Sequence, residues 1–511
     1  MMRAIRRTAA AAGFLLAATL LFLGLGAISA WITRGQLAND ARVTLTTLRQ
    51  GQPLWEWALH QPGDLVAGRI FGPADLISGT DGLRITSRDG SPFELGLPLA
   101  GPVDLTHWPL LRLHLQSSTT GTLGLIYQAT EFSQPCLASE AAAIVGDQKE
   151  VLIDLRTLPW RTTTGTHCPQ PQVVAYMLRL RLQLPANATL KISQAALLAT
   201  QATVLPPSID AEAADIRLSI DSNVGQVAAN SSSIAATPLS APLVRLPADA
   251  SSETMLTLRD LARRTWPAAL ILPFGQSLQS TQSTAVPPWL DWLVCAIYLT
   301  WLVWLSYRQS REIKHPWVEV AAIAAGPLWL IAGLRWSMQP SLPGVLAFVA
   351  ALVYGGVSEW RRRPAAWSWM SRRPADWLWP LVPLPVALVL MMIDGHGLTR
   401  LPPMHVVAYF GWALLQQWAM LAIVLGRLQH THLPKPVIIL VTAGLFGLLH
   451  TPNGALMQLC LAAELWWAWR FMRAPRLVPI AVAHALSALL VESGLAGHML
   501  RSLEVSARFF L

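Results

Sequence analysis

Two hydrophobic rhythms divide the chain. An uncharged run from about Thr8 to Thr33 follows the basic start Met1-Met2-Arg3-Ala4-Ile5-Arg6-Arg7, and it is long enough to cross a bilayer. From there to about Pro288 the rhythm has a period of two. Leu111-Arg112-Leu113-His114-Leu115 and Leu178-Arg179-Leu180-Arg181-Leu182-Gln183-Leu184 put leucines on one face and polar side chains on the other, the pattern of half-buried antiparallel strands. Thr122-Leu123-Gly124-Leu125-Ile126-Tyr127 and Val151-Leu152-Ile153-Asp154-Leu155 read as further strands. Arg88-Asp89-Gly90-Ser91-Pro92 and Leu184-Pro185-Ala186-Asn187-Ala188 read as turns. This pattern predicts a β-sandwich between about 50 and 200. Residues 201–250, rich in Ser, Ala, Asp and Pro, predict a loosely packed linker. Ser251 to Pro273 predicts one amphipathic helix at the membrane surface.

After Pro288 long apolar runs return. Spans are predicted near 289–307, 317–335, 343–358, 377–394, 404–427, 436–450, 455–471 and 476–496, with Trp residues at their ends as in interfacial belts. The basic sequences Arg308–Lys314 (with Arg311), Arg361–Arg373 (with Arg362, Arg363 and Arg372), Arg427–Lys435 and Arg470–Arg476 fall on alternate connections. The positive-inside rule assigns these to the cytoplasm. Nine spans then leave residues 36–285 and the C-terminus outside. The expected organisation is a membrane anchor at 1–35, an extracytoplasmic β-sandwich at 36–205, a linker and amphipathic segment at 206–287, and an eight-helix membrane domain at 288–511. A cleavable signal peptide competes at the N-terminus, because Ala27-Ile28-Ser29 offers small residues for cleavage; the length of the run favours a retained anchor. The fold class expected is an α-helical polytopic membrane bundle with an inserted extracytoplasmic all-β domain, in a bacterial inner membrane.

Composition narrows the function. With 53% hydrophobic and 13% charged residues, the chain is too apolar for an ordinary soluble protein. The net charge of +9 does not point to nucleic acid, since the basic residues lie between apolar spans. Of four cysteines, Cys136 and Cys168 lie in the strand region and pair if it is exported; Cys295 and Cys460 lie in spans. No Gly-rich phosphate loop appears, which argues against an ATPase or kinase. His430-x-His432 lacks a third ligand, so neither metal nor cofactor is expected. Trp55, Trp57, Trp108 and Trp160 either fill the β core, the better reading, or stack on sugars.

Histidine inside a span is costly and is a functional candidate by default. Phe446-Gly447-Leu448-Leu449-His450 ends one apolar run, and His484-Ala485-Leu486-Ser487 lies within another. Together they resemble the F-x-x-x-H and H-A-x-x motifs of the CPBP family, the intramembrane CAAX proteases and bacteriocin-processing enzymes, over roughly residues 404–497. The resemblance implies an E-E-x-x-x-R motif that supplies a general base, with two histidines and an Asn completing the site. This sequence departs from that pattern. Gln416-Gln417 stand in place of the two glutamates, Leu421 in place of the arginine, and Ser487-Ala488 where Asn is common. A glutamine amide has no accessible pKa and cannot serve as a base. Paired amides in a span also act as packing glue between helices.

Glu464, the one carboxylate deep in an apolar run of this region, is a candidate displaced base; otherwise it is neutral and bonded to Ser487 or His484. Glu492 is expected to reach water. Glu359-Trp360-Arg361-Arg362-Arg363 imitates E-x-x-x-R but reads as a topology signal. The candidate site is therefore His450, His484, Gln416, Gln417 and Glu464, with His450, His484 and Gln416 expected to converge. Two functions follow: processing of a membrane-anchored or exported protein, or binding of one without cleavage. The cadence of the strands resembles a galactose-binding-type jelly roll. A third reading is thus a membrane component of surface glycan assembly that holds carbohydrate at the β-domain.

Overall fold

A computed structural model describes residues 2–146, 149–206, 208–222, 240–278, 286–308, 313–333, 340–362, 366–497 and 499–511. Arg311 and Arg363, named above among the basic loop residues, lie outside the described residues. The chain forms two compact units. One comprises Met1–Thr33, Ser251–Thr254 and Gln282–Leu511; the other comprises Arg34–Ala250 and Met255–Thr281.

The second unit is built on two antiparallel sheets. One runs β2 (Ala74–Ile77), β3 (Leu83–Ser87), β13 (Thr189–Leu198), β6 (Leu110–Ser117) and β9 (Glu150–Asp154), with β1 (Trp55–Ala58) also paired to β13. The other runs β10 (Arg161–Thr162), β8 (Cys136–Ile144), β7 (Gly121–Gln128), β12 (Met177–Gln183) and β4 (Phe93–Leu97). A short pair, β5 (Val103–Asp104) and β11 (Val173–Val174), flanks them. The two-residue rhythm is realised directly: Leu111, Leu113, Leu178, Leu180, Leu190 and Ile192 are buried in one shared core. Arg179 and Arg181, on the opposite face of β12, pair with Glu94 across the sheet. Two sheets joined through one apolar core make a jelly-roll-like sandwich. The tryptophans belong to that core. Trp57, Trp108 and Trp160 are buried, Trp55 packs edge-on against Trp108 at 5.2 Å, and the indole N–H of Trp160 donates to the Leu155 carbonyl. They therefore form no sugar-stacking platform.

Cys136, at the start of β8, is joined to Cys168 by a disulfide across 32 residues of sequence. A second polar tie lies at the turn after β5. Asp104 accepts from the backbone N–H groups of Thr106 and His107, and its carboxylate sits 2.7 Å from His107 Nδ1. The hydrogen bond to Asp104 holds the His107 imidazole above its usual range, against the opposing effect of burial. A raised folded-state pKa means the contribution is complete below about pH 6.5, the unfolded value, and is lost as pH rises through the folded value. Denaturation of the sandwich between pH 6 and 9 should show wild-type stability falling in that window and a His107→Gln variant falling less. Equal slopes would remove His107 from the account.

Residues 206–287 differ from the expectation of a linker followed by one long helix. β14 (Ile216–Arg217), β15 (Leu243–Leu246) and β16 (Leu270–Pro273) form a parallel sheet, and helix α2 (Ser252–Thr265) connects the last two strands. The helix ends at Thr265, just ahead of Trp266-Pro267, because proline lacks the N–H that would continue it. Leu270-Ile271-Leu272 then reads as an unbroken apolar run, as strands covered on both faces do. Arg245, in the middle strand, is buried and donates to the carbonyls of Asp210, Ala213, Pro273 and Gln276.

The first unit is helical. Helix α1 (Met2–Arg49) contributes its first part. It is followed by α3 (Pro288–Arg308), α4 (Pro316–Ala332), α5 (Leu342–Arg361), the interrupted α6 (Pro374–Asp394), α7 (Pro403–Leu428), α8 (Lys435–Leu448), α9 (Gly454–Arg473) and α10 (Leu477–Leu495). Six helices among the described residues are long and apolar enough to span a bilayer: α1 from Thr8, α3, α5, α6, α7 and α10. The other predicted spans fall on α4 and α8, which are shorter, and on α9, which carries Gln458, Glu464, Arg470 and Arg473. The chain is a multi-pass membrane protein. Its first helix packs closely on α8: a Cβ at Gly447 would come within 2.7 Å of Leu25, and one at Gly444 within 3.0 Å of Leu21.

Candidate functional site

Four helices bring the polar residues of the last quarter together. Helix α7 is α-helical to Gln417 and π-helical from Trp418 to Leu425, so the amide pair lies at the junction. Such wide turns inside α-helices recur at functional sites. Helix α9 starts under a side-chain cap, Asn453 Oδ1 accepting from the Leu456 N–H at 3.1 Å, and carries Glu464 to a fully buried position. Helix α10 supplies His484 and, one turn on, Ser487; both are buried.

The amide of Gln417 is the hub. Its Nε2 donates to Glu464 Oε2 at 3.0 Å and lies 3.3 Å from His484 Nδ1. An amide nitrogen is a donor only, so Nδ1 of His484 accepts and the ring proton sits on Nε2. His450 has the opposite tautomer: its Nδ1 lies 2.8 Å from the Phe446 carbonyl, which can only accept. The F-x-x-x-H spacing explains this contact, since residues four apart share a helix face. Phe446 also separates the two imidazoles, its ring edge-on at 4.9 Å from His450 and 5.6 Å from His484. Trp467 covers His484 from a further side at 5.0 Å, and Tyr409 meets its edge at 6.5 Å.

Convergence therefore involves Gln417, Glu464 and His484 by direct bonds, with His450 joined through the Phe446 ring. Gln416, expected to join the two histidines, is half-buried and makes no hydrogen bond to them among the described residues. The partner of Glu464 is Gln417, not Ser487 or His484. Glu492 is partly exposed and pairs with His405 at 3.0 Å. Several buried polar atoms have no hydrogen-bond partner among the described residues: Oε1 of Gln416, Gln417 and Glu464, and Oγ of Ser487. A packing device that satisfied itself would leave none. No group of three or more His, Cys, Asp or Glu residues suited to a metal ion occurs among the described residues.

Sequence reasoning missed a second polar system. Glu319 on α4 accepts from both Nη1 and Nη2 of Arg362 at 2.7 Å and from Nε of Arg427 at 2.8 Å. Arg427, only 3% exposed at the end of α7, also donates to Glu359 Oε1 at 2.5 Å and to Ser358 Oγ at 2.8 Å. Glu359, Arg362 and Arg427 thus serve a buried clamp between helices rather than only a charge rule. Glu319, a lone acid inside an apolar run, was the available signal.

Residues 399–490 match the family model described as Type II CAAX prenyl endopeptidase Rce1-like. The matched stretch contains Gln416-Gln417, Phe446, His450, Glu464 and His484, and it agrees with the CPBP resemblance read from the motifs. No curated protein matches the chain. Among solved structures, the chain is similar to the family 11 carbohydrate-binding module of cellulosomal cellulase Lic26A-Cel5E of Clostridium thermocellum, at 9% identity over 26% of this chain and 82% of that one, TM-score 0.20. It is also similar to the low-affinity xylan-binding module CBM86 from Roseburia intestinalis, at 11% identity over 29% of this chain and 96% of that one, TM-score 0.19. At these scores the likeness carries no weight for fold or ligand; the sandwich rests on its own strand registers.

Proposed function

We propose that the helical unit is a CPBP-like membrane module that binds a membrane-anchored or exported protein segment without hydrolysing it. One observation carries this reading. At the position where the family resemblance calls for a carboxylate, the Gln417 amide spends its donors on Glu464 and His484. A base must present a free lone pair to water, and the carboxylate nearest this cluster is fully buried with one oxygen already accepting from the amide. The unpartnered acceptors of Gln416, Gln417 and Glu464 favour a partner that brings N–H or O–H donors, as a polypeptide does. Burial of the tryptophans removes the support that carbohydrate recognition drew from them.

The test incubates the protein in lipid with a membrane proteome and compares new protein termini with those from a His450→Ala variant. No difference is expected, since a general base supplies about a 10²–10⁴-fold rate factor that no other group here replaces. Cleavage lost in both His450→Ala and Glu464→Gln, yet kept in Glu492→Gln, would establish a working protease with Glu464 as its base.

We further propose a bacterial inner membrane location with residues 36–285 outside, supported by the basic loops on alternate connections. Reporter fusions after Pro206 and after Arg373 should then report opposite sides. Agreement between the two would reverse this topology.

A further inference from the structure

The turn that joins the two polar helices α8 and α9 is gripped by segments far away in sequence. It comprises His450-Thr451-Pro452-Asn453-Gly454. From helix α1, Ser29 Oγ donates to the Pro452 carbonyl and lies 2.5 Å from Ser252 Oγ. The next residue, Glu253, accepts the backbone N–H of Ala455 through Oε1 at 2.8 Å. That N–H belongs to the first turn of α9, which has no intrahelical partner for its early donors and carries the positive end of the helix dipole. From the C-terminal segment, the Ser506 N–H donates to the Thr451 carbonyl, and Asn453 Nδ2 donates to the Ser502 carbonyl at 2.8 Å. The packing leaves no slack, since a Cβ at Gly454 would lie 2.9 Å from Ser29 Oγ and 3.0 Å from Ser252 Oγ.

Ser252 and Glu253 are the opening residues of α2, whose remaining turns run on to Thr265 beside the parallel strands. We propose that Ser252-Glu253 is a latch on the His450–Gly454 turn, through which load on α2 sets the seating of α9 and with it Glu464 in the buried cluster. A carboxylate at this helix start, a hydroxyl pair that excludes any side chain at 454, and a continuous helix leading away from both are the three parts such a latch needs. The inference holds whether the cluster binds or cleaves, because it concerns only how α9 is held.

Hydrogen exchange of the full chain in lipid tests it. Glu253→Ala should speed exchange at residues 455–458 about tenfold, the effect of losing one charged cap, while 436–447 stay unchanged. Glu253→Gln, which keeps an acceptor but no charge, should fall between. Loosening α2 at two exposed positions, Thr257→Gly with Arg264→Gly, should speed the same amides several-fold without touching the turn. Unchanged exchange at 455–458 in Glu253→Ala would overturn the latch. A response to Glu253→Ala with none to the paired glycines would reduce the contact to a local cap and overturn the coupling.

Discussion

Replacing Arg427 with Met should destabilise the helical unit by roughly 3–5 kcal/mol, the cost of stranding a buried charge. The guanidinium touches Glu319, Glu359 and Ser358 at once, so its loss leaves two acids on three helices with only Arg362 between them. Neutrality matters more than any single bond here. Adding Glu359→Gln to Arg427→Met should therefore recover a large part of the loss, and the double variant should depart from additivity by well over ~0.5 kcal/mol. Unfolding in mixed micelles, titrated with a denaturing detergent, reads both effects. Strict additivity would mean that the clamp is a set of independent contacts.

Removing the Cys136–Cys168 disulfide should cost the sandwich roughly 3–4 kcal/mol, the loop-closure entropy for a loop of about this length. The bond ties β8 to the segment ahead of β11, so the lost constraint should appear first at the edge of the five-stranded sheet, where β10 pairs with β8. Urea-dependent proteolysis of the Cys136→Ala, Cys168→Ala double variant would locate it. Cleavage sites confined to the other sheet would contradict this placement.

How much of this was legible depends on the length scale of each signal. Leu178-Arg179-Leu180-Arg181-Leu182 announced its strand because alternation over seven residues has no helical reading. Ile216-Arg217 and Leu270–Pro273 did not, since strands of two and four residues buried on both faces have no alternation to show. His450 and His484 stood out because histidine is expensive in a span. The Gln417–Glu464 bond crosses between helices, and sequence spacing cannot say which of two adjacent amides turns inward. Gln416 was the wrong one of the pair. Glu359 and Arg427 were hidden by position: at span ends a charge satisfies the topology rule whatever else it does.

The π-helical stretch between Gln417 and Arg427 sets a phase relation between the two polar systems. An α-helix advances about 100° per residue, and each wide turn accommodates one residue more than α geometry would. Deleting a single residue from Trp418–Leu425, and so restoring regular winding, would swing Gln417 by about 100° relative to Arg427. Either the amide would leave Glu464 or the guanidinium would leave Glu319. The helix thus works as a fixed-angle coupling whose setting is a residue count, indifferent to which apolar side chains fill it.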